Sequence, residues 1–173
     1  MLSHFLTAKE TNTMTNTITN AMTMTWKIII LLLRMGSGFV ILKQGYEKLT
    51  GGFAVDGLVP VIKESQDSPE WYKYFFEHVV AHHLDLFQWM IPIGEIAIGL
   101  GLLFGVLSYT ASFFGTFVML NYILADMIFT YPLQLFFFII LLMNKETLQS
   151  LELMHFFKKK QSRNDVNGKN RHH

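Results

Sequence analysis

Apolar residues along this chain gather into four runs, the first set apart by a long mixed connection and the other three following one another directly, and each run is too continuous for an ordinary amphipathic surface helix. The first, Trp26 to Leu49, reads WKIIILLLRMGSGFVILKQGYEKL. The second covers 87–107, the third 108–126, and the fourth, MIFTYPLQLFFFIILLM, covers 127–143. Each is read as a membrane-spanning helix. At 1.5 Å per residue the fourth reaches roughly 25 Å, short but usable for a hydrocarbon core near 30 Å. Pro132 falls near its start, where a missing N–H does little harm. The expected fold class is all-α, an integral membrane four-helix bundle over 26–143 with an external loop over 50–86.

The flanks differ in kind. Residues 1–25 carry Thr at 11, 13, 15, 17 and 19 and read as a polar, disordered tail, with Met14, Met22 and Met24 as alternative starts. Beyond the fourth run, 144–157 places Leu148, Leu151 and Met154 at helical spacing and reads as an interfacial amphipathic segment. Residues 158–173 form a basic tail. Lys158, Lys159, Lys160 and Arg163 follow the last helix and Lys27 opens the first, while the turn between helices two and three has no Lys or Arg. An even number of spans and the positive-inside rule then put both termini in the cytoplasm, in a multi-pass protein of the cell membrane.

Composition narrows the chemistry. Only 16% of the 173 residues are charged, against roughly 25% in ordinary soluble domains. Net charge is +1 with no basic, aromatic-interleaved patch, so nucleic acid is not an expected partner. With no cysteine, the chain has no disulfide, no thiolate metal site and no thiol redox chemistry of its own. Electron transfer here requires a bound organic cofactor or a redox partner protein.

Inside the runs, Arg34 and Glu95 stand out, because a charge at bilayer depth costs about 2.5–3.5 kcal/mol and is rarely left without a use. Counted from the apparent helix edges, Arg34 lies roughly 12 Å deep, Glu95 roughly 18 Å and Asn121 roughly 15 Å. That places three polar groups within about one helical turn and pairs Arg34 with Glu95. Arg34, Gly38, Ile41, Gly45 and Lys48 share one face of the first helix, as do Pro92, Glu95, Gly99 and Leu102 of the second. Gly38 and Gly99 supply either close helix contact or space for a ligand ring. Gly101 and Gly105 offer a small-residue face suited to an oligomer. The pair is either a structural salt bridge or a ligand- or proton-handling site.

The run from Arg34 through Gly45 to Lys48-Leu49 resembles the opening signature of DoxX/DoxD-type membrane proteins. GEIAIGLGLLFGVLSYTAS resembles their second-helix signature, and LNYILADMIFTYP their third-helix Asn and the Pro opening the fourth. The basic residue usual after the second helix is replaced by Ser108-Tyr109-Thr110. The resemblance implies a quinone-linked redox subunit of the thiosulfate–quinone oxidoreductase type, with quinone as cofactor and Arg34, Glu95 and Asn121 around it. The alternative is a non-catalytic scaffold or small-solute carrier surrounded by membrane lipid.

The external loop ends in PEWYKYFFEHVVAHHLDLFQW, read as one helix with Trp71, Phe75, Val79 and Leu86 on one side. His78 and His82 stand at i, i+4, with His83 and Asp85 close by. Interfacial histidines on an aromatic helix more often pack or hydrogen-bond than bind metal, so no metal is expected.

Overall fold

A computed structural model describes residues 2–152, with side chains from Met14 onward. The basic tail and the last residues of the amphipathic segment lie outside the described residues. Helices account for nearly everything else. They are α1 (Leu2–Thr50), α2 (Leu58–Glu64), α3 (Glu70–Phe75), α4 (Leu84–Phe104), α5 (Ser108–Leu124), α6 (Tyr131–Met143) and α7 (Lys145–Ser150), with a π-helical turn at Phe76–Val80. There is no strand among the described residues.

The first difference from the sequence reading is at the amino end. Rather than a disordered tail ending at 25, residues from Leu2 onward are already part of α1. The threonines that made this stretch look disordered turn their hydroxyls back onto the helix: Thr19 donates to the Thr15 carbonyl at 2.9 Å, Thr23 to Thr19 at 2.8 Å and Thr25 to Ala21 at 3.0 Å. This i−4 bonding lets a polar side chain sit inside a helix. There is therefore no helix boundary at Trp26.

The other boundaries follow local chemistry. α4 stops at Phe104 because Gly105 takes a left-handed conformation (φ +66°) and Val106 N–H returns to the Gly101 carbonyl at 2.9 Å, closing a Schellman-type end. Leu107, also left-handed at φ 52°, turns the chain straight into α5. α6 starts at Tyr131, not Met127, since Asp126 has φ 62° and Pro132 suits only the first helical turn. Its 13 residues reach about 20 Å. The external helix expected to run unbroken from 69 passes from α3 straight into the π-turn and is interrupted at Ala81–His83, so that α4 is a separate piece. Tyr72, Phe76 and Val80 form its buried side, with Val55 and Ile62 of the preceding loop and α2. Trp71 and Leu86 are exposed.

Packing runs from α1 onto α4, from α4 onto α5 and from α5 onto α6, with α1 also touching α6. Ile30, Ile41, Leu102, Met119, Phe138 and Leu141 join these helices in one apolar core. At one end Trp26 Nε1 donates to Asn144 Oδ1 at 2.8 Å, tying α1 to the end of α6. Two helical segments, Met14–Thr50 and Leu84–Phe104, are long and apolar enough to cross a membrane, with mean hydropathies of 1.7 and 1.6. The outward faces are apolar as well: Leu32, Phe39, Phe104, Phe113, Phe117 and Phe136 are all more than half exposed. A helical surface of this kind is at home in lipid.

Glycines set the distance between α1 and α4. A Cβ added at Gly99 would lie 2.6 Å from Leu42 Cβ and 2.8 Å from Leu42 Cα. One added at Gly38 would lie 2.9 Å from Leu102 Cβ, and one at Gly45 2.8 Å from the Pro92 carbonyl oxygen. The two helices meet backbone to backbone, which is how small residues drive packing in membranes. Gly99→Ala is therefore expected to destabilise the protein in detergent by about 1–3 kcal/mol, the cost of overpacking a closed contact. Gly94→Ala, whose new methyl meets nothing within 4 Å, is the control and should leave the melting temperature unchanged or raised. Equal effects of the two substitutions would contradict a close α1–α4 seam.

Candidate functional site

The antiparallel seam decides which polar groups can meet. Arg34 stands beside Gly105, Gly38 beside Gly99 and Leu102, and Gly45 beside Pro92 and Glu95. Arg34 and Glu95 are thus separated by the rise of α1 from 34 to 45, roughly 16 Å at 1.5 Å per residue. The expected Arg34–Glu95 pair does not form. Counting depth from Trp26 on α1 and from Leu107 on α4 assumes that these are level helix ends. In the structure α1 has no end at Trp26 and α4 finishes at Phe104, so the two counts had different origins.

Glu95 is met instead by Lys48 and Tyr122. Its Oε1 accepts from Lys48 Nζ at 2.5 Å and from the Tyr122 hydroxyl, and Lys48 Nζ also donates to the Tyr122 oxygen. The convergence follows from side-chain direction, because Cα–Cβ bonds tilt toward a helix's N-terminus. Lys48 and Tyr122 sit near the far ends of α1 and α5 and lean back into the molecule. Glu95, on the antiparallel α4, leans toward them. Glu95 has no exposed surface, Tyr122 is 8% exposed, and Tyr131 packs on the Tyr122 ring at 4.5 Å. The Lys48 ammonium also lies 4.3 Å from the centre of that ring. The second carboxylate oxygen, Glu95 Oε2, is buried with no hydrogen-bond partner.

Arg34 belongs to a separate polar cluster at the other end of the α1–α4 seam. It is 5% exposed, and its Nη1 donates to the Leu151 carbonyl at 3.2 Å and, at a long 3.5 Å, to Ser108 Oγ. Asn121 joins neither cluster. Its Oδ1 and backbone carbonyl accept from the Tyr72 hydroxyl at 3.3 and 3.0 Å, and its Nδ2 donates to Phe117. Burial pushes the Tyr72 phenol well above its ordinary range, so it stays a donor and holds α3 against the end of α5.

Gly38 and Gly99 are the closest contacts of the seam rather than space for a ring. Gly101 and Gly105 are also taken up inside the chain: Gly101 faces Ala111 across the α4–α5 turn, and Gly105 faces the Arg34 guanidinium. A groove of about 420 Å³ opens between α4 and α5 near that turn, walled by Ile98, Phe104, Phe114 and other apolar residues, with Thr110 its single polar one. It touches neither Arg34 nor Glu95. His78 Nδ1 contacts the Tyr74 carbonyl at 3.0 Å and its ring stacks on Tyr74, while His82 and His83 are exposed. Among the described residues no three His, Asp or Glu side chains gather as a metal would need.

Helical spacing marks both partners of Glu95. Lys48 closes the Arg34–Gly38–Ile41–Gly45 stripe, and that stripe is the face α1 presents to α4. On α5 the buried face runs Ser108, Ser112, Gly115, Met119, Tyr122, at helical spacing, and Asn121 lies off it. The same spacing rule thus picks out Tyr122.

The DoxX family model matches residues 29–130, which contain Arg34, Lys48, Glu95 and Tyr122. No match was found among curated proteins or among solved structures.

Breaking a buried ion pair by removing one partner costs about 3–5 kcal/mol, more than removing both. Lys48→Met is expected to destabilise by roughly that amount, and Lys48→Met with Glu95→Met to recover much of it. Arg34→Met and Glu95→Met should instead add to within about 0.5 kcal/mol, as independent sites do. Thermal melts of the purified variants measure this. Strong coupling between 34 and 95, with none between 48 and 95, would contradict the assignment.

Proposed function

Because the chain belongs to the DoxX family, we propose that it is a multi-pass protein of the cell membrane that serves as a non-catalytic subunit or scaffold. In this reading α1, α4, α5 and α6 form a four-helix transmembrane bundle with both ends cytoplasmic, and the Lys48–Glu95–Tyr122 cluster locks it. The carrying observation is the filled seam. Added Cβ atoms at Gly38, Gly45 and Gly99 would each lie under 3 Å from the opposite helix, so the residues expected to cradle a quinone head group do not fit one. A buried carboxylate with a cation and a hydroxyl on one oxygen has the donors a structural ion pair needs.

A quinone-linked, DoxD-type redox subunit is the second reading, and one observation favours it. Glu95 Oε2 is buried without a partner, and such an atom is free to accept a hydrogen bond from a ring hydroxyl. A ring would then have to lie in the α4–α5 groove, whose wall at Ile98 is one helical turn from Glu95. Thr110 alone would offer it a polar contact there.

Organic extraction of the purified protein separates the two readings. The scaffold reading expects far less than one quinone per chain, with the same trace in Ala97→Phe, which fills the groove without touching a charge. One quinone per chain, lost in Ala97→Phe, would overturn it in favour of the redox subunit. Orientation has its own check. A C-terminal reporter that works only inside the cell should be active, and activity of one that works only outside would contradict cytoplasmic ends.

A further inference from the structure

α5 begins without a cap of its own. Its N-cap position is Leu107, held in a left-handed conformation, and no side chain of that residue bonds the first turn. The Ser108 N–H is nevertheless satisfied, by a carboxylate from far along the chain: it donates to Glu152 Oε1 at 2.9 Å. An anion at a helix N-terminus is favoured by the exposed N–H groups and the helix dipole together. Here a cation adds to both. The Arg34 guanidinium reaches the same turn, donating to Ser108 Oγ and to the carbonyl of Leu151, the neighbour of Glu152. Arg34 is 5% exposed, yet its Nε has no partner. A buried guanidinium with a free N–H, set against a helix start that only Glu152 caps, leaves donors that Glu152 does not use.

We propose that Arg34, the Ser108 N–H and the Ser108 hydroxyl form an anion site for a phosphate group, and that the Glu152 carboxylate is its intramolecular occupant in this structure. Phosphate suits the donor set because three oxygens can accept from the guanidinium, the backbone N–H and the hydroxyl together, where one carboxylate oxygen meets only the backbone. The outward surface beside the site is apolar, with Phe104 and Leu107 exposed. A lipid headgroup and a free phosphate share this chemistry. Displacing Glu152 would release the segment that α7 carries, so the occupant and the phosphate compete for one position. The proposal concerns the Arg34 cluster alone and does not depend on the role of Glu95.

The test uses the full chain in phosphatidylcholine nanodiscs, with and without phosphatidic acid, and separately with inorganic phosphate. Glu152→Gln keeps the segment's shape but removes the competing charge. It is expected to raise retention of phosphatidic acid, or affinity for inorganic phosphate, by roughly tenfold over wild type, the order expected when a charge-assisted hydrogen bond is removed from the competitor. A gain for phosphatidic acid alone identifies a lipid headgroup, and a gain for inorganic phosphate a soluble source. Arg34→Gln with Glu152→Gln leaves neither charge orphaned and should abolish the gain. No gain in Glu152→Gln overturns the proposal, and so does a gain that survives loss of Arg34. Should the double variant not fold, the comparison of Glu152→Gln with wild type decides alone.

Discussion

A carboxylate with none of its surface exposed has to be met by donors or not be charged at all, and Glu95 is in that position. Lys48 and Tyr122 meet it from two other helices. Three helices are therefore fixed in register by one oxygen atom. A shift of α1 by a single turn, about 5.4 Å, would carry Lys48 out of reach and leave a buried charge unpaired.

That register is affordable only because α1 and α4 touch so closely. Gly38, Gly45 and Gly99 remove side chains from the seam, and in their absence Leu42 and Leu102 fill the contact. Apolar packing gives little directional preference between helices surrounded by lipid, whose tails are as apolar as leucine. Small residues bring the backbones together, and the ion pair then selects one alignment among those the glycines permit. At the opposite end of the seam, Arg34 ties α1 to the start of α5 and to the segment after α7. Arg34 and the partly buried Lys48 are thus kept apart, one at each end of the close glycine contact.

Much of this was legible in the sequence. Helical spacing identified the buried stripe of α1 from Arg34 to Lys48 and the Glu95–Gly99–Leu102 face of α4, and Pro132 does fall in the first turn of α6. Pairing was not legible, because it depends on where each helix starts and stops. Threonines that bond back onto their own helix hid the continuation of α1 below Trp26, and left-handed Gly105 and Leu107, on either side of Val106, ended α4 early. Those few residues moved Arg34 away from Glu95. Asn121 differs for another reason: it is polar but lies beside the buried face of α5, whereas Tyr122 lies on it. The contact of Glu152 with Ser108 has no signal in local sequence, since only the fold brings the two together.

The alignment of α1 with α4 is the central claim, and the absence of native cysteine makes it directly measurable. Cysteine pairs can be placed at Gly38 with Leu102 and, separately, at Arg34 with Glu95, and each variant oxidised in membranes. A bridge needs Cβ atoms about 3.5–4.5 Å apart, which the first pair meets with slight relaxation and the second misses by roughly 10 Å or more. Cross-linking of 38 to 102, with none between 34 and 95, is the predicted result. A bridge between 34 and 95, with none between 38 and 102, would contradict the account.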